Sequence, residues 1–330
     1  MDYANLGRSG LKVSRFCLGA MNFALGGAAP WCDEGEARRI VDAFLDAGGN
    51  FIDTADVYGA GGSEEIVGRA VKGRREQVVI ATKAAGAVGP GPNDRGLSRR
   101  HLVRALEGSL KRLGVDHVDL YQMHRWDPTT PIEETMQTLA SFVRSGKVRY
   151  IGCSNFTGAQ IVEAQWAAER VGGVPLVSLQ PRYSLISREI EVEILPTAER
   201  HGLGAIVYGP LAGGVLSGKY RRGERPPAET RYGGSMGLRG EGGLAAQAAH
   251  SLSDRNLAIA EAVSEIAGEL GAPASAVATA WCLSRRGVTS AIIGPRTVEQ
   301  FEVYLAALSL NLPQAALKRL SDASRPAGAQ

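Results

Sequence analysis

The stretch IVDAFLDAGGNFIDT, residues 40–54, contains the pattern on which this chain is built. Ile40, Ala43 and Phe44 fall on one face of a helix, because residues three and four apart lie on the same side of a 3.6-residue turn. The apolar run that follows, Asn50–Thr54, has the length and composition of a buried strand. A helix with one apolar face next to such a strand is the repeating unit of a parallel sheet.

The same alternation recurs along the whole chain. Eight short apolar runs are separated by longer stretches of helical periodicity, which predicts eight βα units. A doubly wound sheet would need a G-x-G-x-x-G after an early strand, and the sequence has none. We therefore predict an α/β protein with a (β/α)8 TIM barrel in a single domain of residues 1–330. The predicted strands are Phe16–Met21, Asn50–Thr54, Val78–Thr82, Val118–Gln122, Val148–Ser154, Leu176–Gln180, Ala205–Tyr208 and Thr289–Ile293.

Two segments stand outside the eight repeats. A turn sequence at residues 7–10, Gly-Arg-Ser-Gly, predicts an N-terminal hairpin ahead of the first barrel strand. The segment from Leu211 to Ser253, after the seventh strand, is rich in Gly, Pro and Arg and is too long for a simple connection. We expect this long Gly-rich loop to serve a function.

Composition narrows the classes of partner. The chain has 330 residues, of which 44% are hydrophobic and 22% charged, as in a globular protein that can bury a large core. Its 37 basic and 34 acidic residues are interspersed and sum to a formal charge of +3, which favours a small-molecule partner over nucleic acid or membrane. Four scattered cysteines without a C-x-x-C pair predict neither a metal site nor disulfides, and together with an N-terminus that lacks an export signal they favour the cytoplasm.

Candidate catalytic residues follow successive strands. Asp53 closes the second strand, Tyr58 lies in the loop after it, Lys83 follows the third strand and His124 the fourth. Active sites of such barrels form where the carboxyl ends of the strands meet, so we expect these four side chains to converge. Singly, each has an ordinary structural explanation, as a turn cap, a loop aromatic, a solvated strand end or a structural histidine. Their convergence is what favours a catalytic function.

The four residue types suit proton transfer to a carbonyl oxygen. A tyrosine phenol, with a pKa near 10, is a weak acid, and we expect the Lys83 ammonium to lower the pKa of Tyr58. A buried lysine needs a counter-charge to stay protonated, which Asp53 can provide. His124 can then hydrogen-bond the substrate oxygen, either orienting it or relaying the proton.

Five blocks of the sequence follow one another in a characteristic order. They are NFIDTADVYG at residues 50–59, Ser63-Glu64, Thr82-Lys83, LYQMH at residues 120–124 and GKVRYIGCSNF at residues 146–156. These blocks resemble the aldo-keto reductase family, and the resemblance extends over nearly the whole chain, from Leu6 to the helix that begins near Thr297. Two further blocks, YGPLAGG at residues 208–214 and LSGKY at 216–220, are most similar to a bacterial branch related to potassium-channel β subunits, which also contains keto-sugar reductases.

The resemblance implies a (β/α)8 barrel that binds a nicotinamide cofactor in an extended form without a Rossmann domain. It also implies a catalytic tetrad of Asp53, Tyr58, Lys83 and His124, all present here. The expected reaction is the reversible NADPH-dependent reduction of an aldehyde or ketone to an alcohol, with the proton coming from Tyr58. Keto sugars are among the substrates that the branch suggests.

Polar residues that end strands five to seven are predicted to hold the nicotinamide. Ser154, Asn155 and Gln180 are placed to bind its carboxamide, because hydride transfer requires a fixed orientation of the ring. The family resemblance gives Tyr208 the role of a platform on which the ring stacks. The alternative is that Tyr208 belongs to the core and that Gln180 caps its strand.

The Gly-rich segment after Tyr208 is predicted to bind the pyrophosphate. Backbone N–H groups in a glycine turn, together with a cation, stabilise such an anion. Gly209, Leu211, Gly213 and Lys219 fit this pattern, with Arg231 as a further cation. The resemblance makes the segment a lid over the dinucleotide, although Gly209 stands where the family often has serine. Glycine-rich stretches also occur as simple connectors.

The segment after strand eight is predicted to bind the 2′-phosphate that distinguishes NADPH from NADH. Gly294, Arg296 and Gln300 lie where a helix begins, and a helix N-terminus with an arginine suits a dianion. We therefore predict NADPH over NADH. Tyr304 stands where related sequences commonly have an asparagine that contacts adenine, so the adenine contacts are expected to differ here.

Four apolar side chains are predicted to line the substrate pocket: Met21, Phe23, Trp31 and Trp126. Met21 is counted with the cofactor residues as well. Such side chains can form an apolar pocket or stack on a sugar ring, and they can equally pack the loops against each other.

Two other functions remain open at this point. The same tetrad can occur in a nicotinamide-binding sensor or regulatory subunit with little turnover. Alternatively, Lys83 can form a Schiff base in a barrel lyase or isomerase, but the Asp, Tyr and His partners would then be unexplained. The sequence carries no signal for the oligomeric state.

Overall fold

The computed structural model describes residues 1–23, 32–228, 230–233 and 243–326. These residues form two compact units. The first consists of Met1–Pro181, Glu191–Tyr208 and Gly287–Phe301, and the second of Arg182–Ile190, Gly209–Arg286 and Glu302–Gln330. The single domain expected from the sequence stays a prediction.

The first unit contains a closed barrel of eight parallel strands and, before it, a two-stranded antiparallel sheet. The strands are β1 (Tyr3–Asn5), β2 (Lys12–Ser14), β3 (Phe16–Gly19), β4 (Phe51–Asp53), β5 (Val79–Ala84), β6 (Val118–Met123), β7 (Val148–Ser154), β8 (Leu176–Gln180), β9 (Gly204–Tyr208) and β10 (Val288–Ile293). The barrel order is β10-β3-β4-β5-β6-β7-β8-β9, and every neighbouring pair is parallel. Both the predicted (β/α)8 barrel and the predicted hairpin are therefore confirmed.

Helices follow the strands, and side chains just before two of them form N-caps. Asp33 accepts a hydrogen bond from the Glu36 amide at the start of the first helix, and Ser98 does the same for the third. Among the described residues, no helix has the length and apolar character needed to cross a membrane. The α-helices are α1 (Glu34–Asp46), α2 (Gly62–Ala70), α3 (Arg99–Leu113), α4 (Ile132–Arg144), α5 (Gly158–Arg170), α6 (Ile194–Arg200), α7 (Gly243–Ser251), α8 (Asp254–Leu270), α9 (Ala274–Leu283), α10 (Val298–Ser309) and α11 (Gln314–Ala323).

Two barrel strands end two residues away from the predicted position, while the other strand bounds agree to within one residue. The first barrel strand ends at Gly19 instead of Met21, because its neighbour β4 already ends at Asp53, opposite Gly19, and offers no further partner. The third barrel strand continues to Ala84, because it pairs with β6 over that length. Lys83 consequently lies inside the strand instead of following it, opposite Gln122.

The hairpin closes the end of the barrel at which the strands begin. Leu6 and Val13 are fully buried and pack in one apolar cluster with Phe51, at the start of β4, and with other barrel residues. Gly7 turns the chain with a φ of +60°, and the Arg8 amide donates a 2.8 Å hydrogen bond to the Gly202 carbonyl. The other end of the barrel, where the strands finish, is thus the end available for a site.

In the second unit, aromatic packing surrounds Trp281. Tyr183 stacks on the Trp281 ring, with 5.5 Å between the ring centroids. The guanidinium groups of Arg188 and Arg285 lie 5.2 and 5.3 Å from the same ring. Stacking and cation–π contacts of this kind stabilise a compact core in the second unit.

We predict that Gly7→Ala lowers the free energy of unfolding by about 2–4 kcal/mol. Besides its left-handed φ, a Cβ atom at this position would lie 2.3 Å from the Gly202 carbonyl oxygen and 2.6 Å from that of Val177. Gly10→Ala is the matched control, because a Cβ there would meet no atom within 4 Å. Urea titrations followed by circular dichroism measure both variants, and equal losses for the two would contradict the role given to Gly7.

Candidate active site

A fully buried ion pair lies at the carboxyl ends of the strands. The Lys83 Nζ atom lies 2.6 Å from Asp53 Oδ2 and donates a 2.8 Å hydrogen bond to the Thr54 carbonyl. The side-chain amides of Gln122 and Gln180 donate to the other carboxylate oxygen of Asp53, at 3.1 and 2.8 Å. The charges are thus paired and hydrogen-bonded, as burial requires.

The pair keeps Lys83 charged. Burial by itself lowers the pKa of a lysine, because it disfavours the ammonium form. The Asp53 carboxylate and the Tyr58 oxygen outweigh that effect, so the pKa of Lys83 is raised above its ordinary value. A permanent positive charge therefore lies inside the barrel.

Tyr58 is in direct contact with this charge. Its hydroxyl accepts a 3.3 Å hydrogen bond from Lys83 Nζ, which also lies 4.8 Å from the centre of the Tyr58 ring. The residue begins a 3₁₀ turn, Tyr58–Gly61, in which Gly59 and Ala60 adopt left-handed backbone angles. This turn brings the phenol back over the strand ends.

The pKa of Tyr58 moves in the opposite direction from the one predicted. Burial raises it, and this effect is larger than the lowering by the Lys83 ammonium, so the net pKa lies above the ordinary value. The sequence identifies the neighbouring cation but does not show how deeply the phenol is buried. At neutral pH the hydroxyl of Tyr58 is therefore fully protonated.

His124 lies beside Tyr58 as a neutral imidazole. The two rings meet edge to face, with 5.7 Å between centroids and an angle of 83°, and the His124 amide donates a hydrogen bond to the Ala84 carbonyl. Burial, together with the positive charges of Lys83 and Arg125, lowers the pKa of His124 to about 3. The ring can donate one hydrogen bond and accept another, but it is not a charged acid.

A hydrogen-bond network links the strand-end residues assigned to the nicotinamide. The Tyr208 hydroxyl donates to Asn155 Oδ1 at 3.0 Å, and the Asn155 amide donates to Ser154 Oγ at 3.0 Å and to the His124 carbonyl at 3.2 Å. Ser154 in turn donates to the Gln180 carbonyl at 2.8 Å. The structure thus brings these residues together next to His124, with the Gln180 amide nitrogen already bonded to Asp53.

In the second unit, the Gly-rich turn lies close to two cations. Gly209, Gly213 and Gly214 have φ angles of +71°, +70° and +97°, which other residues rarely adopt. A Cβ atom on Gly214 would lie 2.8 Å from Lys219 Nζ, and one on Gly213 would lie 3.6 Å from the Cδ atom of Arg231. The amide of Gly214 donates to the carbonyl of Leu211. All the residues predicted for the pyrophosphate therefore belong to this one unit.

The start of α10 is capped by side chains of this chain. The amide of Arg296 donates to Gln300 Oε1 at 2.9 Å, and the amide of Val298 donates to Glu36 Oε1 at 2.8 Å. The Gly294 carbonyl accepts a 2.9 Å bond from Asn22. Some of the helix amides that were assigned to the 2′-phosphate are thus hydrogen-bonded within the protein, while Arg296 remains half-buried at the same place.

The residues expected around the substrate divide into packed and exposed ones. Phe23 has no exposed surface, and the Trp126 ring packs edge to face on Phe156 with 5.2 Å between centroids. Met21 is 41% exposed. Trp31 lies outside the described residues. Tyr304 is half-buried in α10, and burial raises the pKa of its phenol.

Three residues near the tetrad were not singled out from the sequence. Gln122 hydrogen-bonds Asp53, Arg125 acts on the charge of His124, and Asp56 is buried two residues before Tyr58. A polar residue inside an apolar strand, as at Gln122, was the available signal for the first. A second carboxylate in the quoted block was the available signal for Asp56.

Comparison with known proteins identifies relatives along almost the full length. The profile described as Aldo/keto reductase family matches residues 15–325. An "uncharacterized oxidoreductase YrpG" of Bacillus subtilis is 43% identical over 98% of this chain and 95% of its own length. A "probable voltage-gated potassium channel subunit beta" of Oryza sativa is 41% identical (94% and 92% covered), and "aldo-keto reductase dtxS3" of Metarhizium robertsii is 38% identical (93% and 86% covered).

We predict that Asp53→Asn lowers the free energy of unfolding by about 3–5 kcal/mol, because it leaves the buried Lys83 ammonium without its counter-charge. Denaturant titration at pH 7 measures the loss. Glu107→Gln is the matched control, since it breaks the surface pair of Glu107 with Lys147, where solvent screens the charges, and should leave the unfolding midpoint essentially unchanged. Equal stability of Asp53→Asn and the wild type would contradict the role of the ion pair.

Proposed function

Because this chain belongs to the aldo/keto reductase family, we propose that it reduces an aldehyde or ketone to an alcohol with NADPH, with Tyr58 as the proton donor. The observation that carries the proposal is the contact of the protonated Tyr58 hydroxyl with the buried Lys83 ammonium, beside the neutral ring of His124. We take the whole chain to act as one reductase domain. A small carbonyl compound is the proposed substrate, with keto sugars as one class to test.

The chain has residues suited to each part of a nicotinamide cofactor. Ser154 and Asn155 offer polar atoms for a carboxamide, and Tyr208 an aromatic surface, in a network that is already ordered. In the second unit, the left-handed glycine turn and Lys219 suit a pyrophosphate, since backbone amides of such turns and a cation both bind anions. A bound reduced nicotinamide would supply the hydride to the carbonyl carbon.

Tyr58 would hold the proton at the carbonyl oxygen. As the carbonyl carbon is reduced, its oxygen becomes basic enough to take a proton even from a weak acid. Lys83 already donates a hydrogen bond to the Tyr58 oxygen, so the negative charge left behind is stabilised without rearrangement. Asp53 keeps Lys83 protonated throughout, because it is bonded to the ammonium and to two amides.

His124 would orient the substrate instead of protonating it. With a pKa of about 3, its imidazole is neutral over the whole working range and can donate one hydrogen bond to the carbonyl oxygen. Of the two roles left open by the sequence, this favours orientation over a relay that passes through a charged imidazolium. The polarised carbonyl would then lie between the His124 ring and the Tyr58 hydroxyl.

The preference for NADPH rests on Arg296. A guanidinium can bind a 2′-phosphate through two parallel hydrogen bonds, which the corresponding hydroxyl of NADH cannot match. The Val298 amide is not available for this purpose while Glu36 holds it, and Arg39 forms an ion pair with that carboxylate. The start of α10 therefore has one amide fewer for the 2′-phosphate, and we assign the phosphate chiefly to the Arg296 guanidinium.

A second candidate function is that of a nicotinamide-binding regulatory subunit. The observation in its favour is the 41% identity to a protein named as a probable potassium channel subunit beta. Stopped-flow mixing of the NADPH-loaded protein with a panel of aldehydes, ketones and keto sugars separates the two. Oxidation of bound NADPH whose rate rises with carbonyl concentration supports the reductase, whereas a rate independent of every carbonyl supports the subunit.

We predict that Tyr58→Phe lowers kcat/KM for carbonyl reduction by about 10²–10⁴-fold, the usual contribution of a general acid, while the affinity for NADPH stays within about twofold. Steady-state assays and fluorescence titration measure the two quantities. Tyr3→Phe makes the same chemical change at an exposed tyrosine whose hydroxyl donates to the Gly48 carbonyl, and it should leave both quantities unchanged. Turnover at the wild-type rate in Tyr58→Phe would remove Tyr58 from the mechanism.

We predict that Arg296→Ala weakens NADPH binding by about 10–100-fold, the range expected for a lost hydrogen bond to a charged group. Binding of NADH, which lacks the 2′-phosphate, should change by less than about twofold and serves as the internal control. Fluorescence titration of both cofactors measures the ratio. The same loss of affinity for NADPH and NADH would contradict the assignment of Arg296 to the phosphate.

A further inference from the structure

Asp56 is a buried carboxylate to which the proposed mechanism of the tetrad gives no role. It is only 3% exposed and lies in the loop between Asp53 and Tyr58. Its backbone amide donates a 3.1 Å hydrogen bond to the carbonyl of Lys83, so the residue is attached to the strand that carries the ammonium. Within the part of the chain that the structure describes, neither of its carboxylate oxygens has a hydrogen-bond partner.

A second buried carboxylate lies nearby and is paired with a cation. Glu64, on α2, is fully buried and accepts a 2.5 Å hydrogen bond from the Thr82 hydroxyl and a 2.7 Å bond from Arg112 Nε on α3. Its carboxylate acts on Asp56 as a like charge.

Charged and titratable groups approach Asp56 from each neighbouring element. Glu64 lies on α2, Arg112 on α3 and Lys83 on β5, and all three act on its charge. Tyr121, on β6, has a buried hydroxyl that forms no hydrogen bond among the described residues, and its pKa is raised by burial and then by Asp56. Tyr58 shares the loop of Asp56 and feels its charge.

Together these surroundings favour the neutral acid. Burial, and next the charge of Glu64, raises the pKa of Asp56 to about 7, against the opposite effects of Arg112, the Val57 amide and Lys83. The Val57 amide faces the carboxylate, but its geometry falls short of a hydrogen bond. An ionised carboxylate without hydrogen bonds is costly to bury, whereas a protonated one is much less so.

We propose that Asp56 is a positioning residue that carries a proton in the active form of the site, and that losing this proton slows proton transfer from Tyr58. The proposal rests on the carbonyl reductase function proposed above. It assigns to this loop two carboxylates of opposite charge state: Asp53 paired with Lys83, and Asp56 neutral.

The coupling to Tyr58 is electrostatic. An ionised Asp56 raises the pKa of Tyr58, so it disfavours the negative charge that develops on the phenol oxygen as the proton leaves. It also adds a second negative charge near Lys83, whose ammonium would otherwise stabilise that oxygen. Tyr58 and His124 themselves titrate far from neutrality, the first above its ordinary value and the second at about 3. A change in rate near pH 7 therefore points to Asp56.

The first test is the pH profile of carbonyl reduction. In the wild type, kcat/KM should fall by roughly 3–10-fold between about pH 6 and pH 8.5, a modest fraction of a full charge interaction across a partly buried site. Asp56→Asn, which has the shape of the protonated acid and cannot ionise, should keep the acidic plateau up to pH 8.5. Asp116→Asn makes the same change on a side chain that is 92% exposed and should reproduce the wild-type profile. Identical profiles for Asp56→Asn and the wild type would overturn the proposal.

A related variant should move the profile instead of removing it. Glu64→Gln deletes the like charge that raises the pKa of Asp56, so the fall in kcat/KM should shift to lower pH. A shift to higher pH, or none, would contradict the coupling of the two carboxylates. If Asp56 had only a structural role, Asp56→Asn would change the height of the kcat/KM profile but leave the pH midpoint of its fall in place.

The second test needs no catalytic activity. Because the pKa of Asp56 is raised in the folded protein, the folded state binds more protons than the unfolded state between about pH 4 and 7, and stability falls as the pH rises through that range. Asp56→Asn lacks this loss. The Tm of the variant minus the Tm of the wild type should therefore become more positive from about pH 4 to 7 and then stay constant.

The combined outcomes separate this proposal from the proposed function. A Tm difference independent of pH would overturn the protonated state of Asp56. If the Tm difference rises with pH but Asp56→Asn has the same pH profile of reduction as the wild type, the effect of Asp56 on Tyr58 is overturned. A wild type that reduces no carbonyl at any pH would overturn the reductase function. A Tm difference that rises with pH would still locate the proton on Asp56.

Discussion

The buried contact between the Lys83 ammonium and the Asp53 carboxylate is the interaction on which the rest of the site depends. Lys83 has no exposed surface, so its charge is compatible with folding only because Asp53 is ionically paired with it. Asp53 in turn is held by side-chain amides of Gln122 on β6 and Gln180 on β8. Since β8 lies opposite β4 in the ring of eight strands, only a closed barrel lets Gln180 reach that carboxylate.

Much of this arrangement can be predicted from the sequence, because short local patterns identify both the barrel strands and the residues at their ends. Alternating apolar runs predict the strands, and a residue that ends a strand must lie at the barrel mouth, as for Asp53 and His124. Long-range contacts do not have such a signal. The cap that Glu36 provides to Val298 joins residues 262 positions apart, and the extension of β5 through Lys83 depends on pairing with β6.

The direction of the Tyr58 pKa shift could not be predicted from the sequence, because it depends on the relative size of two opposing effects. A cation nearby and burial act on a phenol with opposite signs, and the sequence identifies the cation without giving the depth. In the folded protein burial prevails at Tyr58, and it acts in the same direction as the positive charges at His124. Both side chains are consequently neutral, and the Lys83 ammonium is the charge that responds when a proton leaves Tyr58.

Asp53, the last residue of β4, and Asp56, in the loop after it, are both aspartates, but their surroundings differ. Asp53 is paired with an ammonium, and each of its two carboxylate oxygens accepts at least one hydrogen bond, from Lys83 or from the two glutamine amides. Asp56 meets burial and the like charge of Glu64 without a hydrogen bond of its own in the described structure, so it favours the acid form. Two carboxylates three positions apart can therefore differ by a full charge below neutral pH, and ionisation of Asp56 above it would change the potential at the phenol oxygen.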